Sequence, residues 1–372
     1  RSVSQVSTTT KKITPHIMSL IFFIGTLMVT AVVTYGFNLD NFDQLNYAKK
    51  SPDKWIVIKD LLVPAGKTLD LTGLQNNTVI EFTGTVTFGY QEWEGTLITL
   101  KGKNITVLGR RGHLLDGGGQ RWWDGKGGNG GKKKPRFIQV SLVDSTVTGL
   151  HIKNSPRHCF MINSSQNLRV QNTTIDIKDG AKSGGHNTDG FGVSSSRNVT
   201  ISNSVVYNQD DCFATTSGSD TVFENAKCVG GHGISIGSMG SGHVVERVVI
   251  RNCRVLGNTN GIRIKTRRGE TGAVKNVTFD DIEMKDISKY GVVIQGNYYN
   301  SGPKGDPTPF PIENLVIRNV RGHVAKSGTN ILVWVDPGSA KNWTWSSKIT
   351  GGSKEQQCKG VPQSLPIRCG KK

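Results

Sequence analysis

Between Leu97 and Val320 the sequence contains no amphipathic helix of ten or more residues, which turns the reading away from helical architectures. It has no Pro- or Ser-rich linker either. The Gly/Lys-rich stretch 122–134 reads as a loop rather than a boundary, because strand-like segments of one kind lie on both sides of it. Acidic residues are also scarce: 28 Asp and Glu face 46 Lys and Arg, a formal net charge of +18 over 372 residues. The spacing of the six cysteines matches no zinc pattern, and no recognised nucleic-acid motif is present.

The N-terminal stretch is set apart by its own shortage of charge. From Met18 to Gly36 the chain is almost wholly apolar and ends in Thr34-Tyr35-Gly36, a small-x-small pattern, so a signal peptide is expected, with Met18 as a candidate initiator. Retention as a membrane anchor is the alternative, since about 20 apolar residues span a bilayer. Residues 1–36 are therefore set aside, and 37–372 are expected to form one domain, secreted and without stable membrane association. Segment 1–36 holds Arg1, Lys11 and Lys12 and no acid, so the remainder carries 18 − 3 = +15. A basic exported chain suits a polyanion, and without a nucleic-acid motif an acidic polysaccharide is the expected partner.

What is abundant is a recurring strand phrase. Asn104-Ile-Thr-Val, Asn167-Leu-Arg-Val, Asn198-Val-Thr-Ile, Arg247-Val-Val-Ile, Asn276-Val-Thr-Phe and Asn314-Leu-Val-Ile are short β-rich runs, each followed within a few residues by Asn, Asp or Gly. Their spacing of roughly 20 to 40 residues is that of solenoid repeats. A β-sandwich would place turns every 8 to 12 residues or so and would not need Asn at one fixed phase. The pattern predicts an all-β chain wound as a single-stranded right-handed parallel β-helix, with Asn tolerating left-handed corners and bonding to its counterparts above and below. The 46 glycines serve the same corners.

All six cysteines lie beyond residue 36. Cys212 with Cys228 and Cys358 with Cys369 are close enough to form local disulfides, whereas Cys159 and Cys253 have no evident partner and read as buried thiols. Sequons begin at Asn76, Asn104, Asn163, Asn172, Asn198, Asn276 and Asn342; several fall on the strand phrase, where Asn has a structural use.

Asn187-Thr188-Asp189, Asp210-Asp211, Gly231-His232-Gly233 and Arg263-Ile264-Lys265 recur about one coil apart, stacking carboxylates, an imidazole and two cations on one face. Adjacent strand residues point to opposite faces unless a bulge intervenes, so a bulge is expected at Asp210-Asp211. Three clustered carboxylates cannot all ionise, and the resulting split suits an acid and a base on one glycosidic bond. Calcium binding is the competing role for the same oxygens. Glycines on either side of His232 allow close backbone approach, and Arg263 and Lys265 face one side of a strand while Ile264 faces the core.

With these motifs in this order, the chain resembles the polygalacturonases among the pectin-degrading glycoside hydrolases. The likeness is carried by Asn187-Thr188-Asp189, Gln209-Asp210-Asp211, Gly231-His232-Gly233 and Arg263-Ile264-Lys265, and runs from about Gly109 through Asn297. It implies Asp210 as general acid, Asp189 and Asp211 as the groups that position and deprotonate the attacking water with inversion, and His232 tuning the acid. It further implies substrate binding by Arg263, Lys265, Asn187 and Tyr298, although packing is an equal reading for Tyr298 beside Tyr299. No metal or other cofactor is implied; the expected partners are pectin or polygalacturonic acid and polygalacturonase-inhibiting proteins, with the enzyme a monomer. Departures are Gly192 and Ser195, where many fungal members have Asp and Asn, and the missing N-terminal cysteine pair. A calcium-dependent pectate lyase and a non-catalytic pectin binder are the rival readings.

Overall fold

The computed structural model describes residues 36–367 and 369, so the expected signal segment 1–36 lies outside the described residues save for Gly36. Its strands are parallel and follow one another around a right-handed β-helix with three faces. On the first face the strands Phe160–Asn163, Phe191–Ser194, Asp211–Thr215, Gly233–Met239, Asn260–Thr266 and Tyr290–Gln295 stack in order. The second face continues from Gln166–Gln171 through Ser196–Ser202 and Gly218–Glu224, and the third from Thr174–Asp176 through Val205–Tyr207 and Lys227–Val229. Only short helices occur among the described residues, at Leu45–Lys50 and Gly180–Ser183 beside two 3-10 turns. None is long and apolar enough to cross a membrane.

The Asn phase of the strand phrase marks the corner between the first and second faces. Asn104, Asn167, Asn198, Asn276 and Asn314 all have φ between 51° and 55°, a left-handed conformation that Asn tolerates better than most residues. Their amides form the expected ladder: Asn167 Nδ2 donates to Asp144 Oδ1 at 2.7 Å, Asn198 Nδ2 to Asn167 Oδ1 at 2.8 Å, and Asn314 Nδ2 to Asn276 Oδ1 at 2.8 Å. Where the phrase begins with Arg247, the residue still adopts φ 52° and its guanidinium reaches Asp220 of the preceding coil.

Inside the coils, strand alternation sends every second side chain inward. Phe160, Phe191, Phe213 and Phe223 pack as a column with neighbouring ring centroids 4.6 to 6.3 Å apart; each such buried ring contributes about 1.5–3 kcal/mol. The Cys212–Cys228 disulfide crosses this interior from the first face to the third. Cys358–Cys369 ties the C-terminal segment, which adds an isolated bridge from Lys359 to Trp334. Cys159 and Cys253 are buried free thiols. At the other end, Leu45 and Ala48 of the short helix are buried against the first coils, covering strand edges that would otherwise pair with another chain.

Candidate active site

The four motifs converge on the first face. Asp211 pairs with Gly233, but two residues later Phe213 pairs with Ile234, so the Asp211–Thr215 strand carries the expected bulge. Its inward-turned extra residue is Cys212, anchored to Cys228, which leaves Asp210 and Asp211 on the outer side. Asn208, buried at 2% exposure, fixes this turn: its Nδ2 lies 2.9 to 3.0 Å from the carbonyl oxygens of Thr188, Asp210 and Asp211. The next coil presses directly on it. A Cβ on Gly231 would lie 2.2 Å from the Asp210 carbonyl oxygen, and one on Gly233 would lie 2.3 Å from that of Asn260, so neither position has room for a side chain.

Asp210 is surrounded by donors. His232 Nδ1 is 3.0 Å from Oδ1, Asn187 Nδ2 donates to Oδ2 at 3.0 Å, and the Asp211 amide donates to Oδ1 at 2.7 Å. Asp211 is the most committed of the three carboxylates: Oδ1 accepts from Ser235 Oγ at 2.8 Å and from the Arg263 guanidinium, and Oδ2 accepts from Lys265 Nζ at 2.7 Å. Asp189 differs. Its Oδ1 is buried with no hydrogen-bond partner, and His158 Nε2 lies 3.7 Å away.

The protonation states divide accordingly. Burial, then the charges of Asp210 and Asp211, raise Asp189 well above the usual carboxylate range. Burial also opposes ionisation of Asp210, but the hydrogen bond and charge of His232, with Lys265 and Arg263 behind it, hold this carboxyl below that range. Asp211 is likewise held down against its own burial by Arg263 and Lys265. Of the three carboxyls, Asp189 is therefore the one whose ionisation its surroundings oppose most.

The expected substrate-binding residues occupy graded positions. Lys265 and Tyr298 line a cavity of about 270 Å³ with Asn187, Asp189, Asp210 and Asp211. A second cavity, of about 410 Å³, adjoins it and holds Arg263, His232 and again Tyr298. Tyr298 thus stands between the two, with Lys265 Nζ 5.2 Å from its ring centroid. Tyr299 lines the second cavity only, its hydroxyl donating to the Arg268 carbonyl. Asn187, a left-handed residue with φ 52°, uses its amide to hold Asp210, while its Oδ1 accepts from the Gly128 amide at 2.9 Å. The Gly/Lys loop therefore buttresses the cluster.

His158, Asn208 and Ser235 were not singled out from the sequence. His158 had a signal: it lies 189 − 158 = 31 residues before Asp189, and the strands that follow the two are in register, Phe160 on Phe191. Burial and the charges of Arg157 and Arg136 push its imidazole down to about 4, leaving it neutral beside Asp189. Ligand atoms of Asp210, Asp211 and His232 also lie within 4.8 Å of one another, as a metal site would require. The donor set does not fit one, because Arg263 and Lys265 already occupy the Asp211 oxygens and would repel a cation.

A parallel β-helix whose open face gathers three carboxylates beside two cations has the frame of a solenoid glycoside hydrolase. Residues 54–368 match the sequence profile of glycosyl hydrolases family 28, and the chain belongs to that family. A polygalacturonase of Cochliobolus carbonum is 49% identical over 312 residues, 82% of this chain and 86% of the relative. Endopolygalacturonase 1 of Colletotrichum lindemuthianum is 46% identical over 319 residues, 84% of this chain and 87% of the relative. Among solved structures, endopolygalacturonase I from Stereum purpureum complexed with two galacturonate aligns with a TM-score of 0.76 at 32% identity, covering 87% of this chain and 98% of that one.

Proposed function

We propose that this chain is a secreted polygalacturonase that hydrolyses α-1,4-galacturonosidic bonds within de-esterified pectin, with inversion at the anomeric carbon, through a single catalytic domain over residues 37–372. The observation that carries the reading is the trio Asp189, Asp210 and Asp211 lining one cavity, with Asp189 raised by burial and its two neighbours held down by His232, Arg263 and Lys265. Hydrolysis of a polygalacturonan is also the activity named in its family relatives, which cover most of its length.

In this mechanism Asp210 protonates the leaving glycosidic oxygen. It must first gain a proton, and Asp189, raised above the usual carboxylate range, is the member of the trio best placed to give one up. A galacturonate carboxylate reaching Lys265 or Arg263 weakens the cationic hold on Asp210 and shifts the shared proton toward it. Asp189 is then ionised, with an oxygen free of protein donors to accept a proton from the attacking water. Asp211, fixed by Ser235, Arg263 and Lys265, orients that water, and His232 and Asn187 aim Asp210. Tyr298 packs against the sugar between the two cavities. Every residue in this scheme comes from one chain, so a monomer suffices.

The test is a time course on polygalacturonic acid, with and without EDTA, that follows reducing ends, unsaturated-product absorbance and viscosity together. New reducing ends without unsaturated product, indifferent to EDTA and accompanied by an early fall in viscosity, are expected. Unsaturated product abolished by EDTA would establish a lyase, and binding without any product would establish a pectin-binding protein.

A further inference from the structure

Past Arg263 and Lys265 the floor of the groove continues through two further strands of the first face. Gly237 is in register with Lys265, Lys265 with Gln295 and Gln295 with Trp334, so one outward column runs from the catalytic cavity to the strand Thr329–Trp334. The neighbouring column runs Ser235, Arg263, Val293, Leu332. Between the two, strand alternation turns Ile264, Ile294 and Val333 into the core, each at most 1% exposed. Trp334 thus stands two strands beyond Lys265, about 10 Å at the inter-strand spacing and on the side away from Asp189.

A third cavity, of about 440 Å³, lies over this end, floored by Trp334 and Leu332. It shares Tyr290, Gln295 and Pro303 with the cavity that holds Arg263, so the groove runs on from one into the other. Both of its walls are fastened. On one side Asn297 Nδ2 donates to the Gly305 carbonyl at 2.5 Å, and the Asn297 carbonyl accepts from the Lys304 amide at 3.1 Å, which fixes the turn after Pro303. On the other, Gln356 and Gln357 belong to the C-terminal segment, which Cys358 holds through its disulfide to Cys369 and by accepting the Val333 amide on Sγ at 3.2 Å. Lys359 Nζ stands 5.8 Å from the Trp334 ring centroid without lining the cavity, and it is paired with Asp306 at 3.0 Å. What faces the cavity is therefore a partly exposed indole beside the amides of Gln295 and Gln357. An apolar plane edged by hydrogen-bonding groups suits a pyranose ring, which has a face of C–H bonds and a rim of hydroxyls.

We propose that this third cavity is a further sugar-binding site for the galacturonan chain, in which Trp334 is the platform for a pyranose ring lying beyond the unit whose carboxylate Arg263 and Lys265 hold. The proposal rests on the polygalacturonase reading and extends its groove to the C-terminal segment, whose disulfide keeps one wall in place. Contacts made there are the same before and during the cut, so the site acts on KM rather than on kcat.

The experiment measures kcat and KM of the full chain on polygalacturonic acid and on oligogalacturonides of increasing length. Wild type is expected to show a step in kcat/KM at the length that first reaches Trp334. Trp334→Leu keeps apolar bulk above Leu332 but removes the aromatic plane, and is expected to lose that step: kcat/KM falls about tenfold on polygalacturonic acid, the scale of one aromatic contact, with the loss carried by KM and smallest on the shortest oligomer cut. Trp334→Phe is expected to restore most of the step. A loss in Trp334→Leu that is equal at every length, no loss at any length, or a wild type without a step would overturn the proposal while leaving the hydrolase reading intact. Absence of any cut in polygalacturonic acid by wild type would instead remove the hydrolase reading and this inference with it.

Discussion

Asp220 and Asp211 each meet an arginine from a later coil. Asp220 accepts from Arg247 Nε at 2.6 Å and Nη2 at 3.0 Å on an open corner, where the two side chains are 33% and 46% exposed. Asp211 accepts from Arg263 and Lys265 where all three side chains are 3 to 11% exposed. The contacts are alike, but the surroundings are not. At the corner, water solvates either partner once the other is removed, so the pair contributes little. In the groove, removal of Asp211 leaves two cations out of water without the carboxylate that bonds both of them, and only the charge of Asp210 nearby. The repeat supplies the same kind of contact twice, and burial turns one of them into part of a reactive site.

The largest expected effect follows from breaking the buried side of this comparison. Asp211→Ala should cost about 3–5 kcal/mol of stability, as breaking one partner of a buried ion pair generally does, in addition to abolishing activity; urea unfolding measures it. Replacing Arg263 and Lys265 by methionine in the same variant should recover much of the stability and none of the activity, because the cost lies in the stranded charges.

Asp210→Asn separates chemistry from stability. The amide can keep the contact with Asn187 but gives up a charge that His232, Lys265 and Arg263 favour, so stability should fall less than in Asp211→Ala while kcat falls by at least ~100-fold, the contribution typical of a general acid. The pH profile tests the same partition. With Asp189 raised, the shared proton is lost as pH climbs above the ordinary carboxylate value of 3.8; with Asp210 and Asp211 lowered, their protonation sets in only below it. kcat/KM should therefore pass through an acidic optimum, and a rate still rising through neutrality would contradict the assignment.

The two aspartates also differ in how visible they were in the sequence. The corner was legible because it repeats: Asn104, Asn167, Asn198, Asn276 and Asn314 share one phase, one φ and, where amides align, one hydrogen-bond ladder. Asp210, Asp211 and His232 were legible as motifs, and their bulge followed from requiring two adjacent carboxylates on one side of a strand. What escaped was the support. Asn208 has the type of a corner residue, yet its amide turns inward to three carbonyls, and the role of His158 depends on a register between coils that spacing alone fixes only approximately. Arg263 and Lys265 were read as projecting toward substrate, whereas their first engagement in the free protein is with Asp211, a contact reaching across 52 and 54 residues that no local pattern announces.

A smaller effect is expected one step away from the groove. Asp124 gathers the Gly/Lys loop by accepting from the Lys126 and Lys132 amides and from the buried Lys134 ammonium; against its partial burial these hold its carboxyl down at about 2. The loop in turn gives the Gly128 amide to Asn187, and Asn187 holds Asp210. Asp124→Ala should lower kcat roughly tenfold through misplacement of the acid with KM changed less. Because the folded pKa is depressed, the stabilisation from Asp124 is complete above about 3.8 and is lost as pH falls toward 2; wild type and Asp124→Ala should converge in thermal stability at that acid end.

The smallest effect belongs to the corner pair. Arg247 occupies a left-handed position, φ 52°, that its neighbours in the column fill with Asp220 and Asn276. Arg247→Asn removes the exposed contact with Asp220 but relieves a conformation that disfavours a long side chain, and it supplies an amide able to bond to Asp220 below and Asn276 above, as Asn198 does to Asn167. The two changes oppose each other, so the melting temperature should stay close to that of wild type and activity should be unaltered. A loss comparable to that of Asp211→Ala would mean that the corner pair, despite its exposure, clamps successive coils, and that burial is not what distinguishes the two aspartates.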